Sequence, residues 1–211
     1  MKDAIVALEN HEPTDVICVI SKPPAKEVRD EVVQLLQSIS KPVVAIFLGE
    51  KPEAHEGKVY LAHTLEETAQ IAVDLANEEA VKRNYFTKLD KPNVSTLDKD
   101  KVVKGLYSGG TLAAEAGMLI SEALNLEGLV KQEGYILHSH GYDVIDLGDD
   151  IYTQGKPHPM IDPEVRIQKI EEYAEDEQTG IILFDVVLGY GAHEDMVGAF
   201  LPAIEAAQTT A

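Results

Sequence analysis

Lys41-Pro-Val-Val-Ala-Ile-Phe-Leu-Gly49 places six consecutive apolar residues between a proline and a glycine. The run is too short for a helix core and has no polar face, so it reads as a strand covered on both sides. Asp15-Val-Ile-Cys-Val-Ile-Ser21 has the same character, and Val59-Tyr-Leu-Ala62 is a shorter third strand. Between the first two, Ala25 to Ser40 repeats Val28, Val32, Leu35, Leu36 and Ile39 at helical spacing. Residues 2 to 12 place Ile5, Leu8 and, less regularly, Val6 on one helical face, while Thr64 with Glu67 forms a capping box for a helix running to about Ala80. Fully apolar strands alternating with helices predict an α/β fold with a parallel sheet and helices on both faces. The single cysteine, Cys18, falls inside an apolar run and is expected to be a core residue in a reducing compartment.

Residues 83 to 100 are polar and break this rhythm, which predicts a linker between a unit at 1–82 and a second at 101–211. The second unit opens with Lys101-Val-Val-Lys-Gly-Leu-Tyr-Ser-Gly-Gly110, a strand and glycine turn, followed by a helix from Thr111 to about Ala123. Val144 to Leu147 is a strand. Ile145 to Arg166 is dominated by a long loop rich in Gly, Pro, Asp, His and Lys; it closes at Asp162-Pro163, an N-cap with proline at the first helical position. The helix then runs from Pro163 to Glu175. Gly180 to Gly189 reads as the last buried strand, and Asp195 caps the closing helix. Residues 5–20 and 170–185 match as helix, acidic turn and strand at an offset of 165 residues. The second unit has a strand, glycine turn, helix and strand ahead of this pair; the first does not, and it is expected to be an incomplete unit.

At 211 residues the chain can bury a sizeable core. Its net charge of −19 would repel nucleic acid and anionic lipid, so neither is an expected partner. No signal-peptide core or membrane-length apolar run is present, and a cytoplasmic location is expected. An anionic ligand would need local backbone amides to overcome the overall field.

Two turns have that chemistry. Ser108, Gly109, Gly110 and Thr111 link a strand to a helix start, where glycines let the backbone approach an anion and hydroxyls add donors. Gly189, Tyr190 and Gly191 form a second turn after the last strand. In a parallel sheet both turns, and the loop opening at Gly148, fall on the carboxyl edge where ligands bind. Lys156 and His158 in that loop, and His193 after the second turn, are candidates for contact with the ligand. The alternatives are loop shaping for His158 and a helix-start role for His193. Asp162 reads as a helix cap rather than a catalytic carboxylate. His138 and His140 share one face if the segment is a strand, but no third ligand accompanies them and no metal site is expected.

Ser108-Gly-Gly-Thr-Leu-Ala-Ala-Glu-Ala116 resembles the phosphate-facing helix start of succinyl-CoA synthetase-type ligases, and residues 4–49 resemble the second half of the ligase domain in that superfamily. End to end, the chain resembles the C-terminal part of the FdrA family, most specifically in Gly155-Lys-Pro-His-Pro-Met-Ile-Asp-Pro163 and Val187-Leu-Gly-Tyr-Gly-Ala-His193. The resemblance implies flavodoxin-like modules, acyl-phosphate or acyl-CoA chemistry, and association with the oxamate carbamoyltransferase of allantoin degradation. CoA, phosphate or carbamoyl phosphate would be the ligands, His158 and His193 the catalytic candidates, and other subunits or an oligomer the partners. The phosphorylated histidine of succinyl-CoA synthetases lies in Gly-His-Ala-Gly. His63, in the corresponding region here, lacks those glycines. The two expectations are a catalytic subunit and a non-catalytic assembly module that docks partner subunits.

Overall fold

A computed structural model describes residues 1–82, 98, 100–126 and 132–210, with backbone only for 209 and 210. The linker expected over 83–100 lies outside the described residues except at Asp98 and Asp100. The chain divides into two compact units, Met1–Lys91 and Pro92–Ala211.

In the first unit, β1 (Ile17–Ser21), β2 (Val43–Phe47) and β3 (Val59–Ala62) form a parallel sheet in that order. Every residue of the central β2 is buried, as its two apolar faces require. The helices α1 (Lys2–Glu9) and α2 (Lys26–Ser38) meet one face, where Ile5, Val32, Val33 and Leu36 pack against Val43, Ala45 and Phe47. The alternate strand residues Val44 and Ile46 point the other way, toward α3 (Leu65–Ala76). The Thr64 hydroxyl accepts from the Glu67 amide at 3.1 Å, and Glu67 accepts from the His63 amide at 2.7 Å, one residue ahead of the expected reciprocal partner.

Three expectations for this unit are corrected. The strand β1 alternates buried and open positions, because it is an edge strand and α3 lies chiefly over β2 and β3. Cys18 is therefore exposed rather than in the core, beside an exposed Ile20. On α1 only Ile5 is buried; Val6 and Leu8 face solvent, as does Val28 on α2.

The second unit has a four-stranded sheet in the order β5-β6-β4-β7. Its parallel strands are β4 (Val102–Tyr107), β6 (Tyr142–Asp146) and β7 (Thr179–Phe184). An unexpected strand, β5 (Tyr135–Ser139), pairs antiparallel with β6. His140 and Gly141 join these two with φ of 50° and 85°, the primed turn that suits a two-residue hairpin. His138 and His140 consequently do not share a strand face. On one side of the sheet lies α4 (Gly110–Leu124), close enough that a Cβ on Gly117 would stand 2.7 Å from Ile136. On the other side α6 (Glu164–Ala174) and α7 (Met196–Thr210) bury Leu106, Ile145, Ile170 and Phe200. A one-turn helix, α5 (Asp150–Thr153), interrupts the long loop. The last strand stops at Phe184 and is half-exposed along its length, because β7 is an edge. The repeated helix and strand recur as α1–β1 and α6–β7, and in each copy the strand is at a sheet edge.

Candidate functional site

Because β4, β6 and β7 are parallel, the segments that follow them emerge at one edge of the second unit's sheet. Asp185, one residue past β7, is buried and aims its carboxylate across that edge. Its Oδ1 accepts from the Ser108 amide at 2.8 Å and the Ser108 hydroxyl at 3.1 Å, and its Oδ2 accepts from the Gly109 amide at 2.8 Å. The glycine turn expected to hold an external anion thus already holds the chain's own carboxylate at two of its amides. Gly109 is the N-cap of α4, so the N–H groups of Gly110, Thr111 and Leu112 remain without intrahelical acceptors.

Arg166 lies beneath this carboxylate with no solvent exposure. Its guanidinium donates to Asp185 Oδ1 at 3.0 Å, to the Leu106 carbonyl at 3.3 Å and to the Asp185 carbonyl, and it stacks 4.7 Å over the Phe200 ring. Burial pulls the guanidinium below its ordinary value while Asp185 pushes in the opposite direction. The pair carries no net charge of its own, and the positive end of α4 shares this edge with the buried Asp146 carboxylate. Burial, followed by the nearby Asp185 and Glu115 carboxylates, pushes the Tyr107 phenol up.

The loop after β6 closes over the same point. Gly148 donates to Asp146 Oδ1 at 3.0 Å, and a Cβ at Gly148 would stand 2.6 Å from the Ser108 carbonyl and 2.9 Å from His158 Nε2. His158 Nδ1 accepts from the Met160 amide at 3.2 Å, which places the proton of the neutral ring on Nε2. His193 is held in the same way, its Nδ1 accepting from the Asp195 amide at 3.1 Å. The two histidine loops are tied by the His193 amide, which donates to the Met160 carbonyl at 2.8 Å. Each imidazole has one nitrogen fixed by its own loop and offers Nε2–H as a donor, the group needed to polarise a carbonyl or phosphoryl oxygen.

Of the residues anticipated from sequence, Ser108, Gly109, Gly110, Thr111 and His158 gather around Asp185 and Gly148. Lys156 is exposed and faces a separate cleft of about 350 Å³ bordered by Tyr152, Asp162 and Gln168. Gly189 and Gly191 have φ of 117° and 81° in an exposed loop, with nothing within 4 Å of an added Cβ. Their turn does not lead directly into a helix: α7 begins at Met196, and its first turn is capped by Asp195, which accepts from the Gly198 amide at 2.9 Å. Asp162 accepts from the Glu164 amide at 3.0 Å, but the capping position of α6 is Pro163, one residue later than the cap expected at Asp162. His63 is in the first unit, its Nδ1 2.7 Å from the Glu50 carbonyl. Arg166 and Asp185 were not anticipated. The signal for Arg166 was present, since it shares a helical stripe with the buried Ile170 and Tyr173.

Among the described residues, no three His, Cys, Asp or Glu side chains group as metal ligands, and no helix is long and apolar enough to cross a membrane. The chain is 36% identical over 224 aligned residues to an uncharacterized protein, YahF, of Escherichia coli strain K12; the match covers 100% of this chain and 43% of that relative. The chain therefore spans less than half the length of that relative. Residues 106–211, which carry the glycine turn, the Arg166–Asp185 pair and both histidine loops, match the CoA-ligase family, and the chain belongs to that family.

Proposed function

We propose that the second unit binds an acyl-phosphate, carbamoyl-phosphate or CoA-type ligand at this edge and serves acyl or carbamoyl group transfer. The observation that carries the reading is the convergence of the α4 N-terminus, the Gly148 backbone and His158 Nε2 on the Arg166–Asp185 floor. The amides of Gly110, Thr111 and Leu112 suit a phosphoryl oxygen, and the buried pair keeps the turn rigid without adding net negative charge. His158 donates from Nε2 to the transferred group, with His193 on the adjoining loop as the second candidate donor. Lys156 lines the neighbouring cleft, outside this point of convergence. Gly189 and Gly191 give the neighbouring loop backbone conformations that side chains resist. Membership of the FdrA type, and work beside an oxamate carbamoyltransferase, is part of this reading and rests on the motifs at 155–163 and 187–193.

Calorimetric titration of the whole chain with phosphate and carbamoyl phosphate tests it. Gly148→Ala, whose new methyl displaces His158 or Ser108, and His158→Ala should each weaken binding by about tenfold or more. His63→Ala, in the other unit, should leave it unchanged. Full binding in Gly148→Ala, or loss in His63→Ala, would place the site elsewhere.

One observation favours a second reading, an assembly module that docks partner subunits. Leu188 is 83% exposed and Tyr190 wholly so, and Ile151, Ile161, Val197 and Leu201 are exposed as well. Leu188 and Tyr190, two residues apart on one exposed loop, are the side chains this reading assigns to a partner subunit. Under this reading Tyr190→Ser changes the oligomeric state in sedimentation and leaves phosphate titration untouched.

A further inference from the structure

On the α6 face of the second sheet, a buried carboxylate holds a histidine in one tautomer. Asp143 Oδ1 is 2.6 Å from His138 Nδ1. A carboxylate only accepts, so Nδ1 of the neutral ring carries the proton and Nε2 keeps its lone pair. Asp143 is not free to turn away, because its other oxygen takes Lys104 Nζ at 2.8 Å and the Tyr173 hydroxyl at 3.2 Å. The Tyr135 ring, edge-on at 5.0 Å, sets the plane of the imidazole. The Asp143 side chain is 8% exposed and the His138 side chain 41%, so the ring turns its proton inward and its lone pair outward. Other imidazoles are held differently. In His55, His158 and His193 Nδ1 accepts from a backbone amide, which leaves the proton on Nε2. A hydroxyl at Nδ1 of His11 and of His140 fixes neither tautomer, and His63 Nδ1 meets a carbonyl, which carries no full charge.

We propose that His138 Nε2 is a nucleophile toward small activated acyl compounds, esters or anhydrides with a leaving group as good as a phenolate, and that the chain hydrolyses them. Nε2 attacks the carbonyl carbon and forms a C–N bond; the bond to the leaving group breaks, and that group departs as an anion with the bonding pair. The acylimidazolium keeps its Nδ1–H in the hydrogen bond to Asp143, whose charge offsets the new positive charge. Water then adds to the acyl carbon, the C–N pair returns to Nε2, and a carboxylic acid and a proton leave. A buried ion pair such as Lys104–Asp143 is often replaceable by apolar residues without loss of stability, whereas an apolar residue at 143 would leave the imidazole with no fixed tautomer. None of these residues belongs to the loop edge, and the assignment stands independently of the reading given there.

p-Nitrophenyl acetate added to the whole chain, with nitrophenolate release followed by absorbance, tests the proposal. His138→Asn keeps an N–H for Asp143 and removes the nucleophile; it should lower the rate by about tenfold or more. Asp143→Asn keeps the ring, but its amide can donate to Nδ1 and shift the ring proton to Nε2, so it should lower the rate by about tenfold or more as well. His140→Asn, in the adjoining turn where asparagine tolerates the positive φ, should leave the rate unchanged. Diethyl pyrocarbonate, itself an activated acyl compound, should modify His138 first among the seven histidines in peptide mapping of the wild type. An unaltered rate in His138→Asn or in folded Asp143→Asn, a lowered rate in His140→Asn, or first modification at another histidine would each overturn the assignment, the last even if Asp143→Asn does not fold.

Discussion

Asp185→Gly would leave the buried Arg166 guanidinium and the Ser108 and Gly109 amides without their shared acceptor. Breaking a buried ion pair from one side costs about 3–5 kcal/mol. If the glycine turn is an anion site that the chain fills with its own carboxylate, free phosphate should reoccupy it. Millimolar phosphate should then recover much of the lost melting temperature in Asp185→Gly and do so more strongly than in wild type; equal shifts would show that the amides have no affinity for an external anion. Cys18 makes a contrasting case. It is accessible at the surface, yet packing around its sulfur desolvates the thiolate and pushes the thiol up. The folded chain therefore holds that proton more tightly than the unfolded chain, a contribution present at low pH and lost as pH rises through the thiol's titration. Iodoacetamide at pH 8 should modify native Cys18 more slowly than it modifies the unfolded protein; a faster native rate would contradict the desolvation.

Across the second sheet, Lys104 on β4, Asp143 on β6 and His138 on β5 are register neighbours. Asp143 accepts from Lys104 Nζ at 2.8 Å and from the Tyr173 hydroxyl at 3.2 Å, and its other oxygen is 2.6 Å from His138 Nδ1. Burial and then the Asp143 charge push the Tyr173 phenol far up. Asp143→Ala should cost about 3–5 kcal/mol in urea unfolding, while Lys104→Met combined with Asp143→Leu should recover most of it, since apolar replacement of a buried pair is often neutral. Additive losses in the double variant would show that the pair is a net stabiliser. Elements such as these were unevenly legible in the sequence. The strand β2 could be read because both its faces are apolar, a property carried by its own residues. The exposure of Cys18 could not, because edge position belongs to the sheet order and not to the strand. The strand β5 escaped because His140-Gly141 lacks the usual asparagine or aspartate signal, although histidine tolerates the required positive φ. At the site, the Ser108 turn and His158 were legible from glycine and proline spacing. Asp185 was not, since a carboxylate at a strand's end reads as an ordinary exit to solvent, and only the fold shows that it turns inward to Arg166.

At the scale of the molecule, the proposed division into residues 1–82 and 101–211 assigns each unit its own core. One core is built on Val43, Ala45 and Phe47, the other on Leu106, Ile145 and Phe200. Independent cores unfold as separate cooperative transitions unless a large apolar interface couples them. The proposed ligand site uses residues of the second unit alone. A ligand that binds only the native form stabilises by RT ln(1 + [L]/Kd), about 2.7 kcal/mol at a hundredfold excess over Kd. Calorimetric melting should therefore show two transitions, with phosphate or carbamoyl phosphate moving one and leaving the other in place. Asp185→Gly should lower the ligand-sensitive transition, and Leu36→Ala, which opens a cavity in the first core, should lower the other by about 2–5 kcal/mol of unit stability. A single transition that responds to both substitutions would show that the units fold as one body; a ligand shift in the transition lowered by Leu36→Ala would move the site to the first unit.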